Sequence, residues 1–372
     1  MDCSFAKAQN TMRKILFSNP KISISKQKDK IINSIKKVID NGVYIKGNQT
    51  ELFENRFTKY LNAKYCIGTG NATDSIFLSL KAIGIKKNDE VITTSLTATA
   101  TGLAIKNAGA KIKFLDVCEK CFCMNINDLE KSLTKKTKAI VYVHLYGQSC
   151  NMEYLKKICR KKGIYLIEDC AQSAGGSYKN KKLGTYGDIA CFSFFPTKNL
   201  PCIGDGGAIV TNNLKFYKKI KSMSQYGWDK KRNSIYQGIN SRLDEIQSAI
   251  LNVNLNELDK MNLERRKIAK YYLKNINSTK ILLPENIKDN FHVYHLFVIR
   301  VKNRDKLLRK LESQNIFCGI HYKLPVHKQK IFKTKNKLKL TEKISSEIVS
   351  LPIYPGLKQT DQDRVIKILN NF

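Results

Sequence analysis

No apolar run in this chain approaches the roughly 20 residues of a bilayer-spanning helix, so a membrane partner is not expected. The opening stretch MDCSFAKAQNTMRKILFSNP lacks the basic, apolar and small-residue succession of a secretory signal, and the expected location is cytoplasmic. Acidic residues are scarce, 31 against 66 Lys and Arg, which leaves a formal charge of +35. A field of that sign attracts polyanions. No arginine-rich arm, zinc finger or aromatic-basic RNA motif accompanies it. The lysines are spread along the whole length beside abundant Asn and Ile. Nucleic acid is therefore not the expected partner. A small anionic substrate such as a nucleotide diphosphate gains from the same field.

Other motifs are missing as well. There is no P-loop and no complete glycine fingerprint for a dinucleotide. The eleven cysteines are odd in number and include core-like positions such as Cys66, Cys170 and Cys191. That fits a reducing compartment better than a disulfide scaffold. Cys118, Cys121 and Cys123 share one loop, but no second Cys-x-x-Cys or paired His follows, so no metal is expected. No internal repeat and no low-complexity linker interrupts the chain.

What is present is an alternation of strands and helices. With 372 residues, 42% of them hydrophobic, the chain can bury a large core and form two domains. Helical spacing of apolar residues predicts helices over 26–40 and 51–61, then 74–83, 98–108, 126–133 and 152–162. Between and after them, short apolar runs predict strands over 90–94, 111–117, 139–143, 164–167, 189–194 and 208–211. This rhythm predicts an α/β fold with a mostly parallel central sheet flanked by helices. Residues 243–268 read as one long helix or two joined ones. Shorter strands over 294–301 and 317–322 follow, with helices over 304–312, 343–349 and 361–370. The expected division is a loose tail over 1–24, a large domain over 25–254 and a smaller α+β domain over 255–372.

Two stretches suggest chemistry. Lys198 ends the aromatic run Phe192-Ser193-Phe194-Phe195. A lysine drawn into apolar surroundings loses its proton more easily and can attack a carbonyl. Taken alone, a stem snorkelling along a strand end is the commoner explanation. The second stretch, Gly68-Thr69-Gly70-Asn71-Ala72-Thr73-Asp74, leads small residues into a helix, with Thr73 or Asp74 as cap. Free N–H groups at such a start suit an anion. In a parallel sheet ligands gather beyond the carboxyl ends of the strands. Asp169, Lys198 and the 69–73 turn all belong to that edge.

These pieces together resemble the nucleotide-sugar aminotransferase family (DegT/DnrJ/StrS type), pyridoxal-phosphate enzymes of the aspartate-aminotransferase fold. The resemblance runs from about Gly42 to the C-terminus. It rests on Glu168-Asp169-Cys170-Ala171-Gln172-Ser173, Gly187-Asp188-Ile189, the run ending Pro196-Thr197-Lys198-Asn199-Leu200, and Gly204-Asp205-Gly206-Gly207. Gly238-Ile239-Asn240-Ser241-Arg242, His321-Tyr322 with His327, and Leu351-Pro352-Ile353-Tyr354-Pro355 add to it.

The resemblance implies pyridoxal 5'-phosphate as cofactor, held as a Schiff base by Lys198, which also serves as general acid and base. It implies Asp169 on the pyridine nitrogen and Gln172 near the ring. Ala72, Thr73 and Ser193 would hold the phosphate, completed by Asn240 from a neighbouring subunit, so the active unit would be a homodimer. His321, Tyr322 and His327 would line the sugar or nucleotide pocket, with plain packing as the alternative. Lys198 stands where the family's dehydratase branch has histidine, which favours amination. The implied substrates are a nucleotide-linked 3- or 4-keto-6-deoxy sugar and L-glutamate, with a lean toward C3. One departure stands out: Ser95 to Thr101 offers no aromatic residue to stack on the ring. The competing functions are a polyanion-binding protein and a sugar-sensing regulator on the same scaffold.

Overall fold

A computed structural model of the chain describes residues 13–372 except Lys333 and Lys335, with Ser23 described by its backbone alone. The central sheet has seven strands: β1 (Tyr65–Thr69), β2 (Glu90–Thr94), β3 (Lys111–Leu115), β4 (Thr137–Val143), β5 (Tyr165–Asp169), β6 (Ile189–Ser193) and β7 (Gly207–Thr211). Their spatial order is β1-β7-β6-β5-β4-β2-β3. All run parallel except β7, which is antiparallel to both β1 and β6. The central strands are apolar and largely β-branched because helices cover both faces; in β4 every residue but Lys138 is buried.

The helices around the sheet are α1 (Lys28–Asn41), α2 (Asn48–Leu61), α3 (Ala72–Ala82), α4 (Thr99–Asn107), α5 (Met152–Lys162), α6 (Leu214–Met223) and α7 (Glu245–Leu255). The short α2 face is decisive for the site. Phe53 and Phe57 are fully buried and meet Phe194 and Phe192 edge-on, with centroids 5.3 and 5.0 Å apart. Each such pair contributes about 0.5–1.5 kcal/mol beyond its buried area. The aromatic run before Lys198 is thereby clamped, although Phe195, at 48% exposure, lies outside the clamp.

Beyond α7 come α8 (Leu258–Asn275), strand β8 (Phe297–Arg300), α9 (Arg304–Glu312), α10 (Lys339–Glu347), β9 (Ile348–Leu351) and α11 (Gln359–Asn370). β8 and β9 pair antiparallel. Tyr272, Phe297, Leu307, Val349 and Val365 share one apolar cluster there. The expected 254/255 boundary falls in the last turn of α7. No helix among the described residues is long and apolar enough to cross a membrane.

Two expectations need correction. Residues 1–12 of the expected tail lie outside the described residues, but the remainder is not loose. Ile15 and Leu16 form a strand parallel to Ile316 and Phe317, and Ile15 is fully buried. The 317–322 strand ends at Phe317. Past it Gly319 makes a lone bridge to Ser350, and the chain turns toward the sheet edge. Residues 243–268 take the second of the two expected forms, two joined helices with the junction at Asn256 and Glu257. Helix α6 lies where no element was expected; Phe216, Tyr217, Ile220 and Met223 form its apolar stripe against the sheet.

Candidate active site

Parallel pairing sets the carboxyl ends of β1, β2, β4, β5 and β6 along one edge. The chemistry-bearing residues leave the sheet there. Asp169 is the last residue of β5 and pairs with Val143 and Cys191 on either side. Only 4% exposed, its carboxylate has a donor on each oxygen: Ala171 N–H to Oδ1 at 3.1 Å and Thr101 Oγ1–H to Oδ2 at 2.9 Å. Burial pushes this carboxyl above its ordinary range, against the pull of those donors and of the Lys198 and His144 charges.

Lys198 sits in the turn after β6, its N–H donating to Phe195 O at 2.8 Å. The residue keeps some accessible surface, but its amine lies deep among protein atoms. Burial pushes that amine down to about 8, with the Asp169 charge acting the other way. The neighbouring imidazoles stay neutral: burial and the Lys198 charge bring His321 down to about 4 and hold His295 well below its ordinary range. His295 Nδ1 lies 3.1 Å from Asn199 Oδ1, and Asn199 donates to Asn262 Oδ1 and Val293 O, which fixes the residue next to Lys198.

Gln172, buried beyond β5, is oriented at both ends. Its Oε1 accepts from Tyr146 N–H at 2.7 Å, and its Nε2 donates to Tyr322 Oη at 3.1 Å. Tyr146 Oη in turn donates to His321 O, and His321 Nδ1 lies 2.9 Å from Ser350 Oγ. Gln172, His321 and Tyr322 are thus brought into one network beside Asp169 and Lys198. His327 is different. It is 1% exposed, with Nδ1 against Ser95 Oγ and Nε2 3.1 Å from Glu342 Oε1. These contacts account for it as a packing residue between α10 and the strand end of β2.

The 69–73 turn leads into α3 as expected, with a different cap. Asn71, rather than Thr73 or Asp74, caps α3, its Oδ1 accepting from Asp74 N–H at 2.8 Å. The N–H groups of Ala72 and Thr73 belong to the helix's first turn, where no carbonyl of the helix can reach them. Ser193, at the end of β6, pairs across with Gly207, and Gly207 pairs with Thr69. A Cβ on Gly207 would lie 2.6 Å from Asn71 C and 2.8 Å from Asn71 O, so glycine is what lets the start of α3 lie against these strands. Asn240 is exposed and joins no hydrogen bond to Ser193 or α3 among the described residues. Its neighbour Ser241 does reach α3: Oγ donates to Asp74 Oδ2 at 2.7 Å and accepts from Gly70 N–H at 3.0 Å.

Sequence reasoning passed over three residues. Thr101 lies in the first turn of α4 and carried no signal beyond a Thr-rich run. Glu168 and His144 form a fully buried pair, Nε2 to Oε2 at 2.9 Å, and Glu168 also accepts from the N–H groups of Gly184, Tyr186 and Gly187. Burial opposes its charge, but His144 and those amides outweigh it and hold the carboxyl below the ordinary range. The adjacent Glu168-Asp169 pair was a usable clue, since alternate strand residues face opposite sides. Between Ser95 and Thr101, Leu96 is fully buried and Ala98 caps α4, so no ring stands there.

Comparison with known proteins gives one pattern. The model of the DegT/DnrJ/EryC1/StrS aminotransferase family matches residues 25–370. A dTDP-3-amino-3,6-dideoxy-alpha-D-galactopyranose transaminase of Aneurinibacillus thermoaerophilus is 42% identical over 353 residues, 94% of this chain and 97% of that one. The crystal structure of S. venezuelae DesV in complex with a ketimine intermediate superposes with a TM-score of 0.94 at 33% identity, covering 96% of this chain and 98% of that one. NtdA from Bacillus subtilis with bound cofactor PMP gives 0.91 at 31% identity, over 98% and 86% of the two chains.

Proposed function

This chain belongs to the DegT/DnrJ/EryC1/StrS aminotransferase family, and from that premise we propose that it moves an amino group from L-glutamate to a nucleotide-linked (dTDP- or UDP-) keto-6-deoxy sugar. Enzymes of this family depend on pyridoxal 5'-phosphate. The donor set fits that cofactor: a buried amine near pKa 8, a buried carboxylate beyond the same edge, and free helix-start amides beside a serine. The observation that carries the reading is the Lys198 amine brought down to about 8 beside Asp169.

Bound there, the cofactor supplies an electron sink that lets a proton leave the donor's α-carbon. The protein does the rest. Lys198, neutral in a large fraction of molecules at neutral to mildly basic pH, can attack a carbonyl and afterwards carry the proton between carbon atoms. Asp169, whose ionised form Thr101 and Ala171 favour against the effect of burial, would hold a proton on the ring nitrogen. Gln172, locked by Tyr146 and Tyr322, would lie near the ring. Ala72, Thr73 and Ser193 receive the phosphate. His321 and Tyr322 line the way in for the sugar, and neutral imidazoles add no competing positive charge beside Lys198.

Two finer points belong to the same proposal. C3 of the sugar is the aminated carbon, in keeping with the similar transaminase named for a 3-amino sugar. The working unit is a homodimer in which Asn240 of the partner subunit completes the phosphate site. Its exposure here, beside the exposed Tyr226, Ile235 and Tyr236, supports that reading. The test is spectroscopic. Protein loaded with pyridoxal phosphate should show a visible band that L-glutamate bleaches, and Lys198→Ala should not form it. A protein that takes up no cofactor would sink the reading.

A further inference from the structure

The opposite, amino-terminal edge of the sheet carries a cavity of about 650 Å³ between α5, the starts of β5 and β6, and the end of β7. Lys156, Arg160, Lys181, Thr185, Asn213 and Asp188 contribute to its wall. A second cavity of about 670 Å³ shares Lys156, Arg160 and Lys181 and adds Lys157, Lys161 and Lys179. The nearby carboxylates offset this group only in part. Asp188 Oδ2 is engaged by Leu166 N–H at 2.8 Å, Glu153 pairs with Lys179, and Glu168 is sealed among its own donors.

Lys156, Arg160 and Lys181 stand in no salt bridge among the described residues. They do crowd one another. Burial, then the charges of Lys181 and Arg160, hold the Lys156 amine below its ordinary range, and Glu168 and Asp188 offset this only in part. Lys181 is fixed over the Tyr186 ring, 4.6 Å from its centroid. Like charges converging on one cavity cost free energy that a bound anion removes. The helix dipole explains Arg160, Lys161 and Lys162 in the last turn of α5. It explains neither Lys156, in mid-helix, nor Lys181, on a separate short strand.

We propose that this cavity binds a small ligand carrying a diphosphate group, at a site separate from the catalytic edge. Its volume lies in the range of small-molecule sites. Lys156, Arg160 and Lys181 take the phosphate oxygens, with the Asn213 side-chain amide N–H as a neutral partner; the Thr185 hydroxyl is already donated to Lys182 O at 2.7 Å.

Calorimetric titration of the whole protein with inorganic pyrophosphate tests this at physiological ionic strength. Saturable binding is expected, weakening as salt is raised. Lys156→Gln/Arg160→Gln/Lys181→Gln should weaken it at least about tenfold, since charge-assisted contacts are lost. A control, Lys267→Gln/Lys270→Gln/Lys274→Gln on the exposed side of α8, should bind like the parent. Both variants should keep the parent's thermal midpoint and cofactor uptake. No saturable binding, or equal binding by the first variant, overturns the proposal. So does a single-stranded oligonucleotide that binds where pyrophosphate does not.

Discussion

Replacing Thr101 by Val removes a hydroxyl that makes two hydrogen bonds, one of them at the centre of the site. The side chain is 1% exposed and nearly isosteric with Val, so the change removes a hydroxyl and leaves the packing. The lost contact is the 2.9 Å bond to Asp169 Oδ2. A hydrogen bond to a charged group is worth about 1.5–3 kcal/mol, and about 1.4 kcal/mol corresponds to one pH unit. Asp169 already sits high through burial, so losing a donor to its ionised form raises it further. The ionised carboxylate then persists only at higher pH. The acid limb of kcat/KM should therefore move up by about one to two pH units, and bound cofactor should dissociate faster. Thr97, whose Oγ1 lies 3.2 Å from Thr101 Oγ1, loses a neighbour as well. Thr101→Ser keeps the hydroxyl and should restore the parent profile. An unchanged acid limb and unchanged cofactor release in Thr101→Val would refute the role given to this bond.

Other consequences can be checked directly. Lys198 has a lowered pKa, so its amine is neutral above about 8, and cofactor capture by the apo-protein should rise with pH and level off there. A plateau reached only near the ordinary lysine value of about 10.4 would contradict the burial argument. Gly207→Ala places a Cβ 2.6 Å from Asn71 C and should cost about 1–3 kcal/mol, with weaker cofactor retention; a parent-like Kd would show that the start of α3 does not hold the phosphate. Glu168→Ala strands His144 and three backbone N–H groups and should cost about 3–5 kcal/mol in urea denaturation.

The strand-helix rhythm was legible because parallel strands buried on both faces are continuous apolar runs. Residues 90–94 and 152–162 match the predicted elements to the residue. Lys198 and Asp169 were legible through motif order. Their shared edge followed from the rule that parallel strands point their carboxyl ends one way. What escaped depends on contacts distant in sequence. Thr101 meets Asp169 across 68 positions, and Gln172 meets Tyr322 across 150. The short strand at Ile15 exists only because Ile316 lies beside it. For His327 the resemblance left a pocket role and plain packing both open, and both its nitrogens are used inside the protein.

The central claim is amino transfer to a nucleotide-linked keto sugar. The direct measurement is incubation of the loaded enzyme with L-glutamate and a panel of dTDP- and UDP-linked 3-keto and 4-keto sugars, with mass analysis of the products. The expected result is an amino sugar from a 3-keto substrate, formation of 2-oxoglutarate in equal amount, and neither product with Lys198→Ala. A loaded enzyme that aminates no member of the panel, or a Lys198→Ala protein that still turns over, would contradict it.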